Sequence, residues 1–207
     1  SLSRRQRQMC IRDRVRSVTS KPILLMQGIY TDSEIHIARE NNLQVVVHSM
    51  NQFKLIRNNN ELGLWIKINT GMNRFGLSHE ELKVAYETGI ISSDSVLMTH
   101  MACANDPDDP MNKMQINNFE KAFNLVERKT KRSISNSACL VNFPELSFDW
   151  VRSGIAAYGG EFKNLNLRTA MTLRAPIISI RKIKKGERVG YGGRKKASKD
   201  MKIAIVY

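Results

Sequence analysis

What is scarce in this chain narrows it before any motif is read. Nowhere do apolar residues run on for the ~20 positions that a membrane helix needs, so no such span is expected. Cysteine is rare. Cys10, Cys103 and Cys139 have neither metal-ligand nor disulfide spacing, which fits a reducing compartment, and a cytoplasmic protein is expected. The 4 histidines form no H-x-x-x-H pair, so no metal site is readable. No G-x-G-x-x-G follows a strand-like run, which disfavours a dinucleotide-binding Rossmann domain.

Acidic residues are also short, 19 against 33 Lys and Arg, for a net charge of +14. Such a charge raises nucleic-acid binding as a function, so its location matters. Residues 1–20 hold six Arg and one Asp, and residues 174–202 hold eleven Lys/Arg and two Asp/Glu. The remainder balances at sixteen of each sign. The excess therefore belongs to two end segments. Neither interleaves aromatics with its basic residues, and no nucleic-acid partner is expected. The first, SLSRRQRQMCIRDRVRSVTS, has no apolar stretch of the secretory kind and looks like translated adapter DNA. It is expected to be a non-native or disordered leader, an irregular arm outside the fold.

From residue 21 onward, apolar runs alternate with helical patterns. Strands are expected over 22–30, 43–49, 63–69, 96–102, 133–138 and 148–160. Helices are expected from Thr31 or Asp32 to about Asn41, and over 51–59, 79–88 and 111–130. The rhythm predicts an α/β protein with a parallel sheet and helices outside, best matched by a (β/α)8 barrel. A barrel needs eight strands and about six are readable, so residues 21–165 are expected to be a partial TIM-type barrel. After about 166 the period changes. TLRAPIISIRKI, ERVGYGG and MKIAIVY read as strands joined by Gly and Lys turns, the start of an all-β C-terminal domain over 166–207.

The stretch WIKINTGMNRFGL, residues 65–77, is the centre of the chain. Trp65, Ile66 and Ile68 are strand formers, yet Lys67 sits among them, where a lysine is expensive. Arg74 follows just past the strand end. Ser78 and Glu81 then form a capping box for the next helix. Two cations at one strand end suggest a site for an anion.

In a barrel, function sits at the C-terminal ends of the strands. The polar residues found after the apolar runs are Lys67 and Arg74, His100, Asn136 and Ser137, then Arg152 with Gly154. Asn136, Ser137 and the backbone after Gly154 are candidate donors to a phosphate. Arg152, between Val151 and Ile155, needs a partner for its charge.

These residues lie in motifs that resemble one family. K-x-N-T-G-M-N-R-F-G is similar to the K-x-[DN]-T-G-M-x-R-x-G motif of alanine racemases. PILLMQGIY, VVVHS, THMACANDPDDP, SNSACLVNFPELSFDWVRSGIAAYG and AMTLRAPIISIRKIKKGERVGYGG resemble further segments of that family, in its order. The resemblance covers nearly all of 22–207. It implies a pyridoxal-phosphate enzyme with a (β/α)8 barrel and a β domain, interconverting L- and D-alanine by two-base proton exchange at Cα and supplying D-alanine for peptidoglycan. It implies that Arg152 faces the cofactor's pyridine nitrogen and that Asn136, Ser137, Gly154 and Ile155 surround the phosphate. Arg74 would lie near the substrate carboxylate, supported by Lys67, and His100 would hydrogen-bond the tyrosine base. Tyr191, in VGYGG, matches that base, which acts in the partner subunit of a head-to-tail homodimer. The family's Schiff-base lysine motif, K-A-N-A-Y-G-H-G, is absent from this sequence, so the chain by itself is expected to be an inactive internal fragment. Two alternatives stay open on the same fold, a racemase for another amino acid and a non-catalytic cofactor-binding barrel.

Overall fold

The computed structural model describes residues 13–58, 61–160 and 165–207. The chain divides into two compact units, Ser1–Ala156 and Ala157–Tyr207.

The first unit is a parallel sheet with helices along one face. Its strands are β1 (Ile23–Leu25), β2 (Leu43–Val47), β3 (Gly63–Lys67), β4 (Val96–Met98) and β5 (Lys131–Ser133). Between them run α1 (Asp32–Glu40), α2 (Met50–Ile56), α3 (His79–Glu87) and α4 (Pro110–Leu125). Strand order is β1-β2-β3-β4-β5, every pair parallel. A sheet that adds each strand beside the last, with no reversal of order, is wound as a barrel wall and not as a doubly wound sheet.

Register separates the two faces. Leu43, Val45, Leu64, Ile66 and Leu97 point toward the helices and join Ile35, Phe53, Leu82, Phe119 and Phe123 in the main core. Val46, Trp65, Val96 and Met98 form a second, smaller cluster on the opposite face, the wall's inner side. Trp65 and Lys67 alternate with Ile66, so Lys67 belongs to that inner face one layer nearer the strand ends.

Several helix ends follow their sequence signals. Ser78 accepts from the Glu81 N–H at 3.1 Å while Glu81 accepts from the Ser78 N–H at 2.9 Å, completing the capping box of α3. Asp109 caps α4 through the Met111 N–H, ahead of Pro110. α4 stops at Leu125 and not near 130. Glu127 and Arg128 adopt φ of 52° and 56°, and the Arg128 N–H returns to the Phe123 carbonyl at 2.9 Å, a Schellman-type closure.

Three expectations are corrected. Of the leader, residues 1–12 lie outside the described residues, and 13–16 are helical and not irregular. Arg16 anchors that turn by donating to the Thr19 and Lys21 carbonyls, each at 3.0 Å, and to Asn42 at 3.2 Å. The strand expected over 133–138 ends at Ser133, and Ser137–Asn142 is a helix, α5. Its Asn136 cap accepts from the Cys139 N–H, and that local bond turns the chain away from the sheet. No sixth strand forms over 148–160. Trp150 and Arg152 each donate one backbone bond alongside β5, at 3.2 and 3.0 Å. Side chains replace the rest of the ladder, because Asp149 accepts from the Arg132 N–H and Ser133 donates to the Trp150 carbonyl. Arg152 is left as an isolated bridge to Asn136, and Gly154–Ala157 is a short helix, α6.

The second unit is a thin β structure. β6 (Ile177–Ile183) pairs antiparallel with β9 (Met201–Val206), and β7 (Arg188–Val189) pairs antiparallel with β8 (Lys195–Lys196). Ile177, Ile178, Ile180, Ile205 and Val206 are exposed.

Candidate active site

The strand ends of the first unit gather a set of cations. Lys67 closes β3 on the inner face and is only 8% exposed. Its ammonium lies 5.6 Å from the centre of the Phe75 ring. Burial, then Arg74 and Arg152, push its pKa down to about 8. Arg74 rides on the loop between Ile68 and Leu77. That loop is closed by the Asn69 N–H to the Leu77 carbonyl at 3.0 Å and the Leu77 N–H to the Lys67 carbonyl at 2.7 Å. Asn69 shapes its start, its side chain accepting from the Gly71 and Asn73 N–H groups at 3.2 and 3.0 Å. Gly76 has φ +130°, and a Cβ there would lie 2.4 Å from the Asn69 nitrogen, so the closure needs glycine.

Arg152 reaches the same place from the bridge beside β5. Its guanidinium donates to the Ser133 hydroxyl, to the Thr99 carbonyl at 2.5 Å and to the Ile134 carbonyl at 3.3 Å. Its Nε is buried without a partner. Burial lowers its pKa to about 10, which leaves it charged at neutral pH. Among the described residues no carboxylate forms an ion pair with Lys67, Arg74 or Arg152.

His100 follows β4. Burial, then Arg152, Lys67 and Arg74, push its pKa down to about 4, so the ring is neutral near pH 7. Its Nδ1 lies 3.4 Å from an Arg152 nitrogen. A guanidinium only donates, so Nδ1 keeps its lone pair and the ring proton sits on Nε2.

Ser137 and the start of α6 form the neighbouring element. The Ser137 hydroxyl accepts from the Ala156 N–H at 3.1 Å, and its proton is free to face a ligand. Gly154 and Ile155 lie exposed in α6. Asn136 stands at the N-terminus of α5, next to Ser137. Its amide is committed twice, capping α5 through Cys139 and donating to the Met101 carbonyl at 2.9 Å.

The structure therefore brings Lys67, Arg74, His100 and Arg152 into one electrostatic neighbourhood, with Ser137 and Gly154 on the elements joined to Arg152. Tyr191 belongs to the second unit. It stands fully exposed on the turn Tyr191–Gly193, between β7 and β8. Sequence reasoning missed the aromatic rim beside Lys67. His48 packs on Phe75 with ring centres 4.6 Å apart, and Tyr30 lies within hydrogen-bond reach of His48 at 3.2 Å. All three follow apolar strand runs, the same signal that marked Lys67. It also missed a buried polar set, Thr70, Thr99 and Gln115, that ties two site loops together.

Lys67 and Arg152, buried with no counter-ion among the described residues, suit an anionic ligand, and comparison with known proteins agrees with the motifs. Residues 12–161 match the family model for the N-terminal domain of alanine racemase, and residues 170–207 match that for its C-terminal domain. The first match begins inside the leader segment. The alanine racemase of Vesicomyosocius okutanii is 40% identical over 201 residues, covering 93% of this chain and 56% of that protein. That of Shewanella frigidimarina is 34% identical over 197 residues, covering 89% and 52%. The solved alanine racemase of Acinetobacter baumannii superposes with a TM-score of 0.73 at 32% identity, over 97% of this chain and 59% of that one. For the biosynthetic enzyme of Pseudomonas aeruginosa the values are 0.74 and 29%, over 94% and 57%. The chain thus spans about half the length of the relatives it matches. With both domains matched in order and the parallel wall shared, the chain belongs to the alanine racemase family.

Proposed function

We propose that the protein interconverts L- and D-alanine with pyridoxal phosphate, by proton exchange on the two faces of Cα. The observation that carries this reading is the uncompensated cation cluster of Lys67, Arg74 and Arg152 around a neutral His100. The residues fit the group. Arg152 is charged and its buried Nε is left without a partner, and a Cβ at Gly154 would meet nothing nearer than Ser137 Oγ at 3.9 Å, so the backbone there is open to a phosphate. An alanine racemase of known structure, from Bartonella henselae, is described with covalently bound pyridoxal phosphate.

In this reading Ser137, Gly154 and Ile155 hold the phosphate, and Asn136 sets the turn that presents Ser137. Pyridoxal phosphate, when bound, supplies the electron-withdrawing ring that acidifies the substrate Cα–H. Arg152 faces the ring nitrogen and, having no proton to give at neutral pH, leaves it unprotonated. Arg74 binds the substrate carboxylate and Lys67 keeps positive potential beneath it. His100 donates from Nε2 to the phenol oxygen of the tyrosine base and stabilises its anion. That base is Tyr191, working in the partner subunit of a head-to-tail homodimer. The free thiols Cys103 and Cys139 support a cytoplasmic setting.

The test is the parent protein that contains this chain, loaded with pyridoxal phosphate in deuterium oxide. L-Alanine is expected to racemise with deuterium entering at Cα, faster than serine or lysine. A cofactor-loaded protein that leaves alanine unexchanged overturns the assignment. Preference for serine or lysine moves it to a racemase for that amino acid.

A further inference from the structure

Gln115 is a polar residue on the core face of α4. It shares that face with Phe119, Ala122 and Phe123 and is fully buried. A leucine there would serve packing alone. A buried amide costs free energy unless its groups are bonded, and this one is bonded on both ends. Its nitrogen donates to the Thr70 hydroxyl and to the His100 carbonyl, each at 3.0 Å. Its oxygen accepts from the Ala102 N–H at 2.8 Å. One side chain thus grips the loop after β3 and, at His100 and Ala102, the loop after β4.

The bonds have a fixed direction. The Thr70 oxygen accepts from Gln115, so its own proton points to the Thr99 hydroxyl at 2.8 Å. Thr99 in turn donates to the Ile68 carbonyl at 2.9 Å. The Thr99 carbonyl is the group that accepts from Arg152. A directed chain therefore runs from α4 to the Thr99 residue that anchors Arg152. One turn further along α4, Asn118 donates to the Thr70 carbonyl at 3.1 Å and holds the same loop from beside. The approach is close: at Gly71, where φ is +144°, a Cβ would lie 2.7 Å from the Met114 methyl.

We propose that Gln115 is a positioning residue that locks the β3 and β4 loops to one another and so fixes His100 beside Arg152. The assignment concerns the proposed racemase site, but its geometry belongs to the chain without cofactor or substrate. The groups that face His100 are Lys67 of β3, Arg74 of its loop and Arg152 of the bridge beside β5. If the clamp is lost, His100 moves out from among them and regains solvent.

The experiment is histidine NMR on the 207-residue chain, with His100 assigned by its loss in His100→Gln. In the unchanged chain His100 is expected to titrate near 4. Gln115→Met keeps the volume and removes all three bonds, and it is expected to raise the His100 midpoint by about one unit or more. Exchange protection of the Ala102 amide is expected to fall in the same variant and to return in Gln115→Glu, which keeps the acceptor. Phe119→Leu, one turn away on the same face, is expected to lower the melting temperature while leaving both readouts in place. The proposal is overturned if Gln115→Met leaves His100 unmoved, if Phe119→Leu moves it equally, or if the unchanged chain titrates His100 near its ordinary value. None of these readings needs racemisation, so failure of the enzyme assignment and failure of the clamp are separate results.

Discussion

Lys67 in β3 and Lys182 in β6 are both strand lysines, and they live in opposite physical worlds. Lys67 is walled in by the inner face of a parallel sheet, with two arginines for neighbours and a pKa pushed down to about 8. Lys182 lies on an open antiparallel ribbon, exposed and directly opposite Lys202. Most of the chain's excess charge is of the second kind, including Arg188 opposite Lys196. Those charges are solvated, and water screens them within about 10 Å at 0.1 M salt. The buried cations are few and add little to net charge, yet they cost the fold most and point to the ligand. Net charge is thus a poor guide to function here, and the local price of a single cation is a good one.

The contrast extends to packing, where the largest effect is expected. Ile66 is fully buried between sheet and helices, whereas Ile180 on the ribbon is 63% exposed. Ile66→Ala is expected to lose about 3 kcal/mol of stability, and Ile180→Ala less than about 0.5 kcal/mol. Urea denaturation of the chain checks both. Equal losses would break the comparison, since they would mean that the ribbon's apolar residues are packed.

Arg152 sharpens the electrostatic half. Arg152→Met strands the Thr99 carbonyl without its donor but removes a like charge from Lys67 and His100. The first effect is larger, so a net loss of about 2 kcal/mol is expected. The Lys67 pKa should meanwhile climb from about 8 toward its ordinary value. Arg181→Met in β6 is expected to do neither. Lysine NMR titration alongside denaturation separates the two effects, and a Lys67 that does not move would show that burial alone sets it.

How far this was readable from sequence depends on the range of the interaction. The Ser78–Glu81 box, the Val45–Val47 strand and the misfit of Lys67 within a strand are local, and each shows in a few residues. Arg152 was also visible as a charge among apolar neighbours, though the strand expected around it does not form. Whether 148–160 pairs as a strand is decided by Asp149 and Ser133, which take ladder positions with side chains from 17 residues away. The helix cap at Asn136 was not read, because the same residue type serves both phosphate binding and helix capping. Gln115 was invisible for another reason. Its partners Thr70 and His100 lie 45 and 15 residues away, so on α4 it looks like an ordinary polar residue.

The depressed histidine gives a pH signature that the second unit lacks. His100 binds its proton near pH 4 when folded and near 6.5 when unfolded. Between those values the unfolded chain holds more protons, so stability rises with pH across that window and is lost as pH falls through it. The change is expected to be on the order of 1–2 kcal/mol, after allowance for partial exposure of the ring. Lys67 adds a second rise in the same direction between about 8 and 10.5. Denaturation at a series of pH values checks the acid window, and His100→Gln is expected to flatten it. A slope that survives that substitution would assign the effect to His48, whose pKa burial also lowers, or to carboxylates elsewhere.

The smallest effect tests the open ribbon itself. Lys182 and Lys202 face each other directly in the β6–β9 pairing, and like charges so placed oppose the strands. Lys202→Glu turns repulsion into attraction and is expected to stabilise the chain by about 0.2–1 kcal/mol. Because both side chains are solvated, the gain should shrink as salt is raised from about 0.02 to 0.5 M, where the screening length falls well below 10 Å. The loss in Arg152→Met should hardly respond to the same salt, since its carbonyl partners are buried. Melting temperatures of both variants at the two salt levels decide the matter. If Lys202→Glu proved insensitive to salt, Lys182 would have to be shielded from water, and its contrast with Lys67 would fail at the point where it was drawn.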